Sequence, residues 1–188
     1  MTELRIHGRG GQGAVVASKI LAEAAFLQGR YVQSYPQYGV ERRGAPVVAF
    51  ARIADPSDKF FVRQDITEPD HLIVLDPTLL TSVNVLTGLK KGGWVVINTS
   101  DSPEEMDIPK DFKVATVNAS EIAVAHGLGS RAQPIVNTSI IGAFARATGI
   151  LSLEDVLKAI EHEVPTKVED NKAAAKEAFD SVNLGAGG

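Results

Sequence analysis

No cysteine occurs among the 188 residues. The chain therefore forms no disulfide, offers no thiolate nucleophile and lacks the sulfur ligands that iron-sulfur clusters and most structural zinc sites require. Long apolar runs are missing too, and none approaches the length that crosses a bilayer. Nor is there an excess of basic charge: 19 Lys and Arg stand against 23 Asp and Glu, for a formal charge of -4. The attraction to phosphate backbones on which nucleic-acid binders depend has no global source here, so nucleic acid is not an expected partner. The stretch from Met1 to His7 has no basic region, apolar core and small-residue cleavage site of a secretory leader. Cytoplasm is the expected compartment.

Catalytic signatures are scarce as well. No Gly-x-Ser-x-Gly elbow and no His-Glu-x-x-His occurs, and His7, His71, His126 and His162 have no ligand spacing relative to one another. Each reads as a surface or packed histidine. A chain with no self-contained catalytic constellation and no expected metal site, yet with a marked glycine-rich loop, reads as a subunit of an enzyme rather than a whole one.

What is present is an ordinary globular composition, 44% hydrophobic and 22% charged. The length suits one compact domain over residues 1–188 and leaves little room for a second. Short β-prone runs alternate with helical patterns through the first two-thirds, which predicts an α/β, Rossmann-like fold: a largely parallel sheet flanked by helices, with a helical C-terminal part. Strands are expected at Leu4 to His7, Tyr31 to Tyr35, Val47 to Ile53, Leu72 to Leu75, Trp94 to Asn98 and Lys113 to Asn118, with Phe60 to Arg63 as a hairpin return. Helices are expected over Ala14 to Gln28, from Asp76-Pro77 to just before Gly92, up to Thr148 from a cap at Asn137 or Thr138, from Ser152 onward, and over Lys167 to Val182. Asp101 to Pro109 reads as loop with at most one helical turn, the region after Ser120 as helical, and Gly185 to Gly188 as a loose tail.

The candidate site is Gly8-x-Gly10-x-x-Gly13, placed after a strand and opening a helix. There, glycines let backbone N–H groups and the helix dipole approach a phosphate. The same glycines also suit a tight turn that binds nothing. Arg9 within the loop favours an anionic ligand. A dinucleotide site of Rossmann type wants an acid at the end of the second strand, where Gln33-Ser34-Tyr35 stands instead and the next acid is Glu41. A Walker A loop wants Gly-Lys-Ser/Thr, where this loop ends Gln12-Gly13-Ala14. Arg42 and Arg43, in the long loop from Pro36 to Pro46 beside Tyr35 and Tyr38, can grip phosphate or carboxylate, or serve a subunit interface or a pair with Glu41. The aromatic and proline content from Tyr31 to Val48 predicts an apolar protein interface.

Gly8-Arg9-Gly10-Gly11-Gln12-Gly13, Ala22-Glu23-Ala24-Ala25-Phe26 and Tyr38-Gly39-Val40-Glu41-Arg42-Arg43-Gly44-Ala45-Pro46-Val47-Val48-Ala49-Phe50 resemble the γ subunit of 2-oxoacid:ferredoxin oxidoreductases, pyruvate synthase among them. The resemblance continues through Val74-Leu75-Asp76, Val95 to Thr99 and Asn137 to Ala143. It implies oxidative decarboxylation of a 2-oxoacid to an acyl-CoA and carbon dioxide by an assembly with α, β and δ-type partners, passing electrons to ferredoxin or a related acceptor. Thiamine diphosphate, magnesium and iron-sulfur clusters are then expected on the partners, and coenzyme A as co-substrate on this chain. Arg9, Gly10, Gly11, Gln12 and Gly13 would hold its phosphates, with Arg42 and Arg43 as charge partners or intersubunit contacts. A purely structural γ subunit, binding no coenzyme A, is the competing expectation.

Overall fold

The computed structural model describes residues 1–37, 42–58 and 63–185. β1 (Thr2–Arg9) runs into α1 (Ala14–Leu27), and β2 (Tyr31–Pro36) and β3 (Pro46–Ala54) follow. β4 (His71–Val74), a single helical turn α2 (Leu79–Ser82), β5 (Trp94–Asn98) and β6 (Lys113–Val117) come next. α3 (Ala119–Ala125), the small hairpin β7 (Gly129–Ser130) and β8 (Gln133–Pro134), then α4 (Asn137–Thr148), α5 (Leu153–Glu163) and α6 (Val168–Ser181) complete the described chain.

Six strands form one sheet in the order β2-β3-β1-β4-β5-β6. β1, β4, β5 and β6 pair in parallel, while β3 lies antiparallel between β1 and β2. The α/β expectation holds, with one reversed strand inserted. Alternation along the strands divides the side chains between two faces. Leu4, Ile6, Ala51, Ile73, Leu75 and Val96 enter the large core under α1, α4, α5 and α6. Leu72, Val74, Val95 and Ile97 pack on the other side against Leu79, Val85 and Leu89. Burial on both faces explains why β4 and β5 read as continuous apolar runs.

Three expectations need correction. The helix predicted from Asp76 to just before Gly92 is reduced to α2. Thr81, Val83, Val85 and Thr87 are β-branched and propagate a helix poorly. Arg5 Nη2 also donates to the carbonyls of Val85 at 2.8 Å and Thr87 at 2.6 Å, removing acceptors a helix would use. Gly88, at φ 76°, then lies so close to the Thr67 carbonyl that a side chain there would collide with it. Second, β1 is longer than predicted, and Gly8 and Arg9 remain in register with Val47 and Pro46, so the turn proper starts at Gly10. Third, the uniformly helical region predicted after Ser120 is interrupted by the β7–β8 hairpin. Gly127, at φ 68°, and Gly129, at φ 83°, break it.

The single turn expected within 101–109 is present at Pro103–Glu105. The aromatic stretch after Tyr31 is partly spent internally: Tyr35 is buried with its ring 5.3 Å from that of Phe50, whereas Tyr31 stays exposed. Residues 60–62 of the predicted hairpin return, Tyr38 to Glu41, and 186–188 lie outside the described residues.

Candidate functional site

The switch from β1 to its two neighbours places the glycine turn at the C-terminal ends of the parallel strands, where sheets of this kind leave a crevice. Gly11 (φ 98°) and Gly13 (φ 82°) both adopt the left-handed backbone that a side chain disfavours. Gly13 caps α1 without any side-chain hydrogen bond, and no acid stands in the first helical turn. The N–H groups of Gly11, Gly13, Ala14, Val15 and Val16 reach no acceptor among the described residues. An uncapped helix start carries partial positive charge and unsatisfied donors, which is the physical basis of anion binding.

Gly10 serves another purpose. Its N–H donates to the Ala45 carbonyl at 2.9 Å, and its own carbonyl accepts from Gly44 N at 3.1 Å. A side chain on Gly10 would collide with the Arg42 carbonyl. Gly10 thus docks the 42–45 loop against the turn, and its donor is not available to a ligand.

Arg9 is more heavily engaged than its position in a phosphate loop suggested. Nε donates to Asp76 Oδ2 at 3.1 Å, Nη1 to the Gly44 carbonyl at 3.1 Å and Nη2 to Thr78 Oγ1 at 2.8 Å. Gln12 joins the same knot, accepting from Arg9 N at 2.8 Å and donating to Asp76 Oδ2 at 3.1 Å. Burial pushes the Asp76 carboxyl up, but hydrogen bonds from Thr78 and Gln12, with the Arg9 charge, outweigh this and hold it below the usual range. A guanidinium has five N–H donors, so two of Arg9's remain for a ligand. Asp76 is a site residue that sequence reasoning took only for a helix start. Its missed role needs partners 64 and 67 positions away.

Arg9, Gly10, Gly11, Gln12 and Arg43 line one side of a cleft of about 620 Å³. The β7–β8 hairpin with Ile135 forms the other side, and Arg43 Nη2 spans the gap to donate to Gln133 Oε1 at 2.9 Å. Arg42 is exposed nearby without lining the cleft, and Gly13 stands just behind it at the start of α1. The hairpin was not predicted, although Gly, Ser and Pro between 127 and 134 punctuate the sequence there. No histidine lines the cleft: His7 is buried within the sheet, His71 Nδ1 accepts from Trp94 N, and His126 and His162 pair with Glu177 and Glu23. Among the described residues that line it, the cleft offers two arginines and backbone donors but no histidine or carboxylate.

Sequence and fold comparisons identify the family. A family model described as pyruvate ferredoxin/flavodoxin oxidoreductase matches residues 3–181. The chain belongs to that family. It is 50% identical to the pyruvate/ketoisovalerate oxidoreductases common subunit gamma of Thermococcus litoralis, with 96% of each chain covered. It is 51% identical to pyruvate synthase subunit PorC of Methanocaldococcus jannaschii, over 97% of both. The crystal structure of pyruvate oxidoreductase subunit PORC from Thermotoga maritima superposes with a TM-score of 0.81 at 37% identity, covering 97% of each chain. Members of the pyruvate ferredoxin/flavodoxin oxidoreductase family that match end to end in this way are γ-type subunits, and so is this chain. The sheet also explains why no dinucleotide acid follows β2: β3 separates β2 from β1, so the adjacent parallel pair of a dinucleotide fold does not exist.

Proposed function

We propose that this γ subunit seats coenzyme A in the cleft and forms part of the active-site wall of a 2-oxoacid:ferredoxin oxidoreductase. The observation that carries this reading is the uncapped start of α1, with free N–H groups at Gly11 and Gly13, beside a cleft to which Arg43 and the spare donors of Arg9 contribute charge. A diphosphate there would meet oriented donors already in position and incur little reorganisation cost. The whole of residues 1–188 acts as one γ-type domain in the cytoplasm, with α, β and δ-type partners. Thiamine diphosphate, magnesium and the iron-sulfur clusters reside on those partners, since this chain has no thiolate to hold a cluster. The partners perform the decarboxylation of the 2-oxoacid and pass electrons to ferredoxin or a related acceptor. This subunit presents the thiol that takes up the acyl group.

A second reading, a structural subunit, draws on the same turn. Asp76 neutralises Arg9, and Gly10 is committed to packing, as a scaffold alone would require. Equilibrium binding of coenzyme A to the assembled complex separates the two. Saturable binding that Arg43→Ala weakens supports the ligand reading, and no binding at millimolar coenzyme A favours the scaffold.

A further inference from the structure

Behind the hairpin lies a second cavity, of about 320 Å³, that shares Gly129 and Ile135 with the cleft. Ile135, 46% exposed, borders both spaces and forms the sill between them. Val16 of α1, Leu128, Val164 and Pro165 supply apolar walls. Two groups in this slot have unused hydrogen-bonding capacity. Asn137 is 93% buried, and its Oδ1 accepts from Thr138 N at 2.9 Å, but its Nδ2 donates to no protein acceptor among the described residues. Glu163 has no ion pair or hydrogen bond among them. The neighbouring Asn171 is fully committed, to Thr138 Oγ1, Thr166 O and Lys167 O, and serves only to close the slot. The Asn137 amide nitrogen is not sealed off but opens onto the slot, so its donor is available to whatever enters there.

We infer that the slot receives the purine base of the ligand whose phosphates the cleft holds. Apolar walls suit the faces of a planar heterocycle, Asn137 Nδ2 can donate to a ring nitrogen, and the Glu163 carboxylate can accept from an exocyclic amine. The carboxylate also repels phosphate, which keeps the anionic part of the ligand on the Arg43 side. The polar end of the slot is close to the anion seat: a Cβ placed on Gly13 would come within 2.6 Å of Asn137 Nδ2. The direction of binding follows from the chemistry. A thiol that must meet an acyl group on another chain has to leave through the open cleft, so the end of the molecule that never reacts is the one to be recessed among α1, α4 and the α5–α6 link.

The inference rests on the coenzyme A reading, and its test keeps the two apart. Isothermal titration of the complex purified through this subunit uses coenzyme A, adenosine 3′,5′-bisphosphate and 4′-phosphopantetheine as probes. Val16→Phe, which fills the slot, should weaken coenzyme A and the adenosine bisphosphate in parallel, by about tenfold or more, and leave phosphopantetheine within about twofold. Loss of phosphopantetheine alone puts the thiol arm in the slot and overturns the inference while coenzyme A binding stands. Adenosine bisphosphate binding that is sensitive to Val16→Phe, in a complex that ignores coenzyme A, keeps the slot and removes the coenzyme A reading. No binding by any probe removes both. Should Val16→Phe fail to assemble, Glu163→Ala supplies an independent measure. Adenosine bisphosphate should be preferred over its inosine analogue by about tenfold in the wild type, and the preference should vanish in the variant. Equal affinity for the two in the wild type overturns recognition of the base.

Discussion

At the residue scale, two arginines close together in one cleft have different work. Arg43 is exposed and makes one hydrogen bond across the gap, to Gln133. Arg43→Ala is therefore expected to raise the coenzyme A KM of the assembled enzyme by about ten- to hundredfold, the range of one or two charge-assisted contacts, with the melting temperature and the 2-oxoacid KM unchanged. Arg9 joins β1, the 42–45 loop and the turn after β4 in a single knot. Arg9→Ala should accordingly lower the melting temperature as well as coenzyme A affinity, because Asp76 loses its counter-charge in a half-buried setting. An Arg9→Ala enzyme with unchanged melting and a raised KM would return Arg9 to the role of simple phosphate ligand. His7 provides a test that does not involve the ligand. It is 8% exposed, and burial, followed by the charge of Arg5, pushes its pKa down to about 4. The native state thus binds fewer protons than the unfolded chain between pH 6.5 and 4, so this contribution to stability is complete above pH 6.5 and declines as the pH falls through that window. The loss is on the order of 3 kcal/mol by pH 4. Urea melts at pH 7.5 and 5 should show a steeper decline for wild type than for His7→Gln, and parallel declines would mean that His7 is charged inside the fold.

At the scale of elements, α4 depends on a contact that sequence pattern does not reveal. Gly142 in α4 has the backbone of Ala175 in α6 directly above it, and the Cβ of any other residue would collide with the Ala175 carbonyl. Gly142→Ala should force the helices apart at an overpacking cost of about 1–3 kcal/mol, lowering the melting temperature by roughly 2–4 °C per kcal/mol in a chain of this size. An unchanged melting point would show that α6 yields without cost. The legibility of elements follows the same line between local and distant causes. α1, α5 and α6 were readable because their periodicity and terminal residues are local, and so were β4 and β5, whose two buried faces leave a continuous apolar signature. The helix predicted after Pro77 failed because Arg5, some eighty positions away, takes the carbonyls of Val85 and Thr87. Insertion of β3 between β1 and β2 was equally invisible, since register is set by pairing and not by composition. In the site, the glycine turn was plain from spacing. The commitment of Gly10 to the arginine loop, the Asp76 knot and the hairpin wall became visible only once distant segments met.

At the scale of the whole molecule, the sheet arranges a division of labour. The parallel strands deliver the glycine turn and Asp76 to one end, the β7–β8 hairpin faces the turn across the cleft, and α4, α5 and α6 contribute Asn137, Glu163 and Asn171 only to the slot behind it. Oxidation of a 2-oxoacid releases two electrons that need a carrier, and this chain has no cysteine with which to bind a cluster. The purified γ subunit is therefore expected to give no turnover with pyruvate, coenzyme A and a redox dye, even when it is folded and monodisperse. Adding the remaining subunits should restore dye reduction, and the restored rate should saturate with coenzyme A. If the isolated chain reduces dye, the chemistry belongs to residues in this fold to which no redox role has been assigned. If the reconstituted complex reduces dye at a rate indifferent to coenzyme A, and acyl-CoA does not form, the cleft is a scaffold and the anion seat at α1 belongs to another ligand.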